Sequence, residues 1–447
     1  MCLKLHFPGT LMRFPIFFDR RTLQRANRLW LHYGVFWLGA IAVGLVAVFY
    51  AKLIDFGYGL FQHYAAKWFW LPLLVAPATG AITVWLTRRF FDGSEGSGIP
   101  QVIAVLHGPD PLGPRLLTLR ILVGKIFISF LAILGGFTIG REGPTIHVGA
   151  ALMFSLRRFY PRRFLAMRPG VLERRLALAG AAAGLSAAFN APLAGVVFAI
   201  EELMRSFEQR TSGVLITAII FAGVVSLGIQ GNYVYFGTID VGLGLPEWLS
   251  IAVVLIGVIA GALGGCFCWL LLNTKRWMPK PLFELRGKRP VLFGALCGLA
   301  IAVVGVLSHG HTFGSGYAEA RSMLEGSAHV SAAYPLLKIV SMVGSYLPGA
   351  PGGLFAPSLA IGAGIGNTIH MVFSQMQLPM LIALGMVGYL AAVTQSPITA
   401  FVIVIEMING HALVISLMAT ALIASRVSRL FAPPLYEALS ERYLREP

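Results

Sequence analysis

The sequence predicts an all-α protein that crosses a membrane many times and consists of two related halves. Of its 447 residues, 57% are hydrophobic and only 12% are charged, whereas a soluble domain carries about 25% charged residues. Uncharged runs, most of them long enough to cross a bilayer, recur along the chain. Motifs of the first half return in the same order in the second half. The uncharged runs cover residues 33–51, 68–87, 126–140, 176–200, 211–239, 248–274, 291–317 and 339–405.

The basic residues lie in clusters between these runs, and they account for the net charge of +16. Cytoplasmic loops of membrane proteins carry such an excess of Lys and Arg. We therefore expect a multi-pass protein of the cytoplasmic membrane, with both termini in the cytoplasm and no nucleic acid partner. Residues 18–33 are predicted to form an amphipathic helix on the inner surface of the bilayer, and no cleavable signal peptide is expected. The basic clusters are residues 20–28, 157–175, 275–289 and 426–445.

Cysteine and histidine pairs are the candidates for metal binding. Cys266 and Cys268 lie in an apolar run without a nearby histidine or acid, which favours buried, packed thiols. His309 and His311 lack a third ligand. We therefore expect no disulfide, no metal site and no cofactor. Since no combination of a nucleophile and a base is visible at membrane depth, we also expect no enzyme activity.

The longest uncharged run, residues 339–405, has room for three helices. Prolines interrupt it at positions 348, 351, 357, 379 and 397, so several helices must be short, tilted or broken. Transporters build ion sites near the middle of the bilayer from such discontinuous helices. The interruptions therefore favour a transporter over a bundle of plain spans.

An internal repeat divides the chain. Residues 144–150 match residues 357–363, and Gly96-Ser97-Gly98 returns as Gly314-Ser315-Gly316. We assign an N-terminal segment (1–32), a first transmembrane repeat (33–230), a connecting loop (231–246) and a second repeat (247–447) that ends in a short cytoplasmic helix. Matching interruptions predict a binding site where the halves meet, but the residues leave inverted and parallel arrangements open. Further matches pair Gly180, Leu185, Ala187, Pro192, Ile200 and Glu201 with Gly385, Leu390, Ala392, Pro397, Ile405 and Glu406.

Three glycine-rich segments look like helix starts: residues 96–100, 140–144 and 351–357. Ser97 is a good N-cap residue, and Pro100 fits the first turn of the helix. Helix N-termini expose unpaired N–H groups and a partial positive charge. Three such ends in an apolar setting indicate a dehydrated anion held by backbone dipoles. The plainer interpretation of each segment, taken alone, is a capped helix with no ligand.

Glu142 follows Arg141 at the second of these helix starts. Ionisable residues between apolar segments are costly in a bilayer and indicate a functional site, although a surface loop with an ordinary ion pair would give the same pentapeptide. A carboxylate at a helix N-terminus resembles a bound anion. When charged, Glu142 can block the anion site, and when protonated it can leave, so a proton and an anion would compete for one position.

Tyr436 and Glu202 complete the candidates. The phenol of Tyr436 can donate a hydrogen bond to an anion, but an interfacial tyrosine is the ordinary interpretation. Glu201 has the repeat counterpart Glu406, which indicates a structural role. Glu202 corresponds to Met407 and is free for a specific function. Lys125, at the start of a span, is predicted to reach the cytoplasmic interface.

Taken together, the segments 96–100, 140–144 and 351–357 and the late Tyr436 resemble the CLC family of chloride channels and chloride/proton antiporters, over nearly the whole chain. The resemblance implies inverted repeats and a homodimer with a pore in each subunit. It implies that Ser97, Tyr436 and the amides of Leu354 and Phe355 bind chloride, and we expect Gly143 to be an anion-binding residue as well.

The same resemblance gives the two acids their roles. Glu142 matches the external gating glutamate of the family, and Glu202 matches the internal proton-transfer glutamate of the exchangers. Two departures stand out: no cytoplasmic CBS pair follows Tyr436, and Gln101, Ile103 and His107 stand where close exchangers carry carboxylates. The sequence favours a chloride/proton antiporter, and a chloride channel gated by Glu142 is the alternative. Small-residue helices such as Leu413 to Ser425 are candidate dimer contacts.

Overall fold

A computed structural model describes residues 33–109, 112–160, 170–204, 209–231, 236, 248–327, 330–408 and 410–445. The predicted surface helix at 18–33 and nearly all of the connecting loop lie outside these residues. The described part of the chain is helical, and its only β pairing is one isolated bridge between Gly140 and Gly353.

The first half contains long spans that alternate with short helices. The apolar run after residue 33 continues into a helix that ends at Lys67, because Lys52 and Asp55 lie on a face that the helix can leave outside the core. The helices are α1 (Val35–Lys67), α2 (Leu71–Phe90), α3 (Ile99–His107), α4 (Leu112–Leu116), α5 (Leu119–Leu134), α6 (Glu142–Ser155), α7 (Val171–Phe189), α8 (Pro192–Phe198) and α9 (Gln209–Gln230), with a π-helical turn at Ala199–Met204 after α8.

The second half repeats this alternation. The uncharged run 339–405 forms four helices where three were expected, because the prolines shorten each helix below the length of a full span. The helices are α10 (Leu249–Leu272), α11 (Thr274–Trp277), α12 (Lys280–Lys288), α13 (Pro290–Leu307), α14 (Tyr317–Leu324), α15 (Tyr334–Tyr346), α16 (Phe355–His370), α17 (Leu378–Thr394), α18 (Pro397–Ile408), α19 (Val414–Ser428) and α20 (Leu435–Arg445).

Length and hydropathy confirm the prediction of a polytopic membrane protein. Five helical segments of the described chain are long and apolar enough to cross a bilayer: Val35–Lys67, Leu71–Phe90, Leu112–Leu134, Leu249–Leu272 and Pro290–Leu307. Shorter apolar helices accompany these spans; α17 is buried from Met380 to Thr394, whereas α18 and α19 each keep an exposed apolar face. The predicted short and broken helices are therefore present, and α17 occupies the interior.

Equivalent helix pairs of the two halves pack through equivalent glycines. A Cβ atom on Gly149 of α6 would lie 2.2 Å from the carbonyl oxygen of Gly180 of α7. A Cβ atom on Gly362 of α16 would lie 2.3 Å from the carbonyl oxygen of Gly385 of α17. Only glycine allows these backbones to approach so closely, as is common between membrane helices.

The halves meet through reciprocal contacts. Gly140 and its repeat counterpart Gly353 exchange two backbone hydrogen bonds, with N–O distances of 2.8 and 2.7 Å. The carboxylate of Glu201 accepts hydrogen bonds from the amides of Ile398 and Thr399, at 3.1 and 2.6 Å. Contacts of this exchanged kind are those of a two-fold axis.

The counterpart carboxylate completes the exchange. Glu406 accepts hydrogen bonds from the amides of Leu193 and Ala194, at 3.2 and 2.7 Å, which are the repeat equivalents of Ile398 and Thr399. Each glutamate therefore caps the first turn of the short helix in the opposite half, where amides have no helical partner. A pseudo-two-fold axis runs between the halves.

Two buried lysines also correspond. Lys125 is fully buried and its Nζ donates to the carbonyl of Gly96 at 3.0 Å, so the prediction that it reaches the interface is wrong. Lys338 donates to three successive carbonyls, those of Thr312, Phe313 and Gly314. Because a buried ammonium needs such partners, each lysine fixes the glycine-rich loop of its own half.

Candidate anion site

Ser97 lies in the loop that leads into α3, and it is buried. The N-cap position belongs to Gly98, which has φ +92° and makes no side-chain cap, so the prediction that Ser97 caps this helix is wrong. A Cβ atom on Gly98 would lie 2.4 Å from that of His147, which explains the glycine. The Ser97 hydroxyl accepts a long hydrogen bond, 3.4 Å, from the amide of Ile99, and its side chain is also hydrogen-bonded to the phenol of Tyr346.

The predicted starts of α6 and α16 are confirmed, at Glu142 and Phe355. Gly143, in the first turn of α6, packs against both other helix starts. A Cβ atom there would lie 3.1 Å from the Cβ of Ser97 and 3.2 Å from the Cα of Gly353. Three helix N-termini therefore converge at one buried point between the halves.

The second half contributes aromatic walls. Leu354 is the N-cap of α16 and Phe355 its first residue, and both are buried. The ring of Phe355 stacks on that of Tyr436 with centroids 6.3 Å apart, and it contacts Phe189 and Phe198 edge-on at 5.9 and 6.2 Å. This packing fixes the start of α16 beside the first residues of α20.

Tyr436 is 0% exposed, which excludes the interpretation as an interfacial tyrosine. Its hydroxyl has no hydrogen-bond partner within the described part of the chain. A buried hydroxyl without a partner is costly unless a ligand or water completes it. The orphaned donor, stacked on the residue that opens α16, is suited to an anion.

Glu142 is also 0% exposed. The hydroxyl of Tyr317, on α14, donates to its Oε1 at 2.8 Å, and the Nε of Arg141 lies 4.0 Å from the same oxygen. The backbone N–H groups of Ala356 and of Glu142 itself also face the carboxylate. The carboxylate therefore occupies the electropositive point where α6 and α16 begin.

Arg141 turns mainly towards α1. Its Nη1 donates to Oδ2 of Asp55 at 2.7 Å and to the carbonyl of Ala51 at 3.0 Å. Because Arg141 is hydrogen-bonded to α1, its positive charge lies near the Glu142 carboxylate, but its guanidinium does not occupy the anion site.

Glu202 lies at a different place, in the π-helical turn after α8. It is 5% exposed, and the hydroxyl of Ser396, just before α18, donates to its Oε2. His107, at the end of α3, places its Nε2 2.7 Å from the carbonyl of the next residue, Leu203, and its ring is exposed. The turn that carries Glu202 thus lies between a buried hydroxyl and an exposed histidine.

Sequence reasoning missed Tyr317 and Ser396. Tyr317 directly follows the second Gly-Ser-Gly loop, so its position in the repeat was a usable signal. The partner, Glu142, is 175 residues away, and no local pattern joins them. No group of three metal-ligating side chains is gathered within the described residues.

Similar sequences identify the family of the chain. The sequence profile described as "Voltage gated chloride channel" matches residues 79–429. The chain belongs to the CLC family. The relatives include the H(+)/Cl(-) exchange transporter ClcA of Cronobacter sakazakii (strain ATCC BAA-894), which is 30% identical over 440 residues, with 91% of this chain and 88% of that protein covered. ClcA of Salmonella arizonae is 30% identical over 388 residues, covering 84% and 79%.

Solved CLC structures share the fold. A slow cyanobacterial Cl⁻/H⁺ antiporter has a TM-score of 0.74 at 26% identity and covers 92% of this chain and 98% of its own. A CLC-type fluoride/proton antiporter has a TM-score of 0.74 at 21% identity, covering 94% and 98%. The predicted fold class, an all-α polytopic CLC-type protein of two inverted repeats, is confirmed.

Proposed function

We propose that this protein exchanges chloride for protons across a membrane. One observation carries the proposal: Glu142, a carboxylate, lies buried where the N-termini of α6 and α16 meet. Tyr436 stacks on Phe355 at the start of α16, and its hydroxyl has no hydrogen-bond partner among the described residues. Relatives that share 30% of the sequence are named as H⁺/Cl⁻ exchange transporters.

The chemistry follows from the similarity between a carboxylate and a halide. Backbone amides and a phenol donate hydrogen bonds to either anion, while the Nη1 of Arg141 donates to α1 and not to the anion. The charged Glu142 occupies the site and excludes chloride. The protonated Glu142 loses its attraction to the amides and leaves, so chloride and a proton replace one another.

The proposed anion ligands are those that the family resemblance implies. Ser97 and Tyr436 donate through their hydroxyls, and Leu354 and Phe355 through their amides. Gly143 contributes the close approach that lets α6 reach the same point. This mechanism uses no metal and no organic cofactor, and it requires no enzymatic step.

Proton transfer needs a second titratable group, because a proton from Glu142 must cross apolar protein. Glu202 supplies it from the π-helical turn, where the Ser396 hydroxyl stabilises the charged carboxylate. His107, in contact with the same turn, connects Glu202 to the cytoplasm in place of the carboxylates that α3 lacks.

A chloride channel gated by Glu142 is the second candidate. The observation in its favour is that α3 lacks acids: Gln101 and Ile103 are buried, and neither side chain can be ionised or relay a proton as a carboxylate does. In a channel Glu142 would open and close the pore, and Glu202 would have no transport role.

We further infer a homodimer in the cytoplasmic membrane, with both termini in the cytoplasm. The basic clusters between spans support this orientation. Ile415 and Leu422 of α19 are exposed, at 83% and 48%, and with the exposed Leu193 and Ile398 they form an apolar face suited to a second subunit or to lipid.

Reconstitution tests the function directly. Liposomes that contain the protein and only a chloride gradient should move protons against their own gradient, measured with a pH electrode. Uphill proton movement that requires chloride supports exchange. Chloride flux without any uphill proton movement would support the channel instead. Absence of both fluxes in folded protein would contradict either function.

A further inference from the structure

A second feature near the anion site is a cavity of about 670 Å³. Gly96 and Pro100, which bracket Ser97 in the sequence, lie on its wall. The cavity also touches the end of α2, the helix α12 and the last helix, α20. It therefore extends from the loop that carries Ser97 to the basic clusters 275–289 and 426–445, which contribute Arg286 and Arg442 to its wall.

Three arginines from three different helices line this cavity: Arg88 of α2, Arg286 of α12 and Arg442 of α20. Within the described residues none of them forms an ion pair. Burial lowers the pKa of Arg286, and the positive charges of Arg442 and Arg88 lower it further. The three guanidinium groups thus repel one another across a shared space.

The acids of the cavity cancel this charge only in part. Glu95 accepts hydrogen bonds from the Gly93 amide at 2.9 Å and from the hydroxyl of Tyr443, another lining residue, at 2.7 Å. Asp92 is exposed. Three arginines against two carboxylates leave the lining net positive.

An arginine cluster of this kind exceeds what a chloride path requires. A halide on its way to Ser97 needs weak, transient attraction, whereas guanidinium groups are suited to planar, bidentate recognition of phosphate oxygens. The cavity is also far larger than one halide ion needs.

From these observations we propose that the cavity binds a phosphate-bearing anion and that its occupation blocks the chloride path in front of Ser97. A polyvalent anion gains from all three arginines at once, and a single halide does not. The ligand is a soluble polyphosphate, or the headgroup of an anionic lipid that reaches in from the membrane surface. The blocking step rests on the proposed chloride transport, but the binding step does not.

Binding is tested first, on the detergent-solubilised protein with pyrophosphate as the probe, by isothermal titration calorimetry. We expect saturable binding that weakens with added salt. Arg286→Gln and Arg442→Gln should each weaken it about ten-fold, the loss of one charged hydrogen bond. Lys288→Gln is the control, because Lys288 lies on the same helix but pairs with Glu284 outside the cavity. Because Arg442 is exposed, its variant keeps the test valid even if Arg286→Gln fails to fold.

Transport and lipid composition complete the test. Pyrophosphate should inhibit chloride flux from one side of the membrane only, and less strongly in both arginine variants. If a lipid headgroup is the ligand, inhibition by pyrophosphate should fall as phosphatidylglycerol replaces neutral lipid. No saturable binding, or binding that both arginine variants leave unchanged, would overturn the proposal. Binding without any block would overturn its second part, whereas a wild type without proton coupling would overturn only the exchange function.

Discussion

The two halves of the molecule use their glutamates differently. Glu201 and Glu406 correspond in the repeat, and each caps a helix of the opposite half. Glu142 and Glu202 have no acidic counterpart, because Phe355 and Met407 occupy the equivalent positions. The shared pair joins the halves, and the unshared pair lies where an anion site and a proton route are expected. The glutamates that the repeat preserves thus join the halves, and the acids proposed to act in transport are those without an acidic counterpart.

The largest effect should come from the unshared acid at the anion site. Glu142→Gln is nearly isosteric with the protonated acid and cannot ionise, so chloride should pass at all pH values without proton coupling. Chloride efflux and uphill proton movement in liposomes measure both fluxes. A variant that still moves protons uphill would contradict the role of Glu142.

Replacing the second unshared acid, Glu202, should abolish proton transport and leave chloride transport intact. Glu202→Gln is expected to lower proton transport to background while chloride transport continues, because the amide cannot carry a proton. Met407→Gln, at the equivalent position of the other half, is the matched control and should leave coupling intact. Retained proton transport in Glu202→Gln would move the proton route elsewhere, with His107 the next residue to replace.

The shared pair should affect stability instead of transport. Glu201→Gln and Glu406→Gln each remove a charged acceptor from two helix-end amides, which we expect to cost about 2 kcal/mol in each case. Thermal unfolding in detergent should show two similar decreases in melting temperature. A large decrease in melting temperature in one variant and none in the other would show that the two glutamates do not contribute equally to stability.

How much of this could be predicted depends on the distance over which a residue acts. The helix starts at Glu142 and Phe355 were predictable, because glycine and proline act on the neighbouring backbone. The repeat predicted that Glu201 and Glu406 are structural, and their contacts agree. The N-cap of α3 is Gly98 and not Ser97. Gly98 packs against His147, which is distant in the sequence, so local sequence could not show which residue takes the N-cap position.

The remaining misses have the same physical origin. Lys125 is buried because carbonyls of a distant loop provide its partners, which overrides its tendency to reach the interface. The hydrogen bond between Tyr317 and Glu142 joins the two halves, and the sequence around neither residue predicts it. The transport roles of Ser97, Glu142, Glu202 and Tyr436 came from the family resemblance and stay predictions until fluxes are measured.

A smaller effect is expected at Ser97, whose counterpart in the second Gly-Ser-Gly loop is Ser315. Ser97→Pro removes a hydroxyl and an N–H group, both suited to a compact anion. Nitrate should gain relative to chloride, as measured by reversal potentials in mixed solutions. Ser315→Pro in the second loop is the control and should leave the ratio unchanged, and an unchanged ratio in Ser97→Pro would remove Ser97 from the site.

The smallest change tests how the second half acts on the acid of the first. Tyr317 donates to Glu142 at 2.8 Å and so stabilises the charged carboxylate, which is the form proposed to block the anion path. Arg141 and the tyrosines at 50 and 436 also face this acid, and they remain in the variant Tyr317→Phe.

Without the phenol hydroxyl, a larger share of Glu142 is protonated at any given pH. Chloride flux in Tyr317→Phe should therefore persist to higher pH, with its midpoint raised by about one pH unit, the equivalent of one charged hydrogen bond. Chloride flux should show no pH midpoint in Glu142→Gln, either alone or combined with Tyr317→Phe, because the acid that titrates is absent from both. A midpoint that stays in place in Tyr317→Phe, or moves to lower pH, would mean that the hydrogen bond does not hold the charged acid in the site.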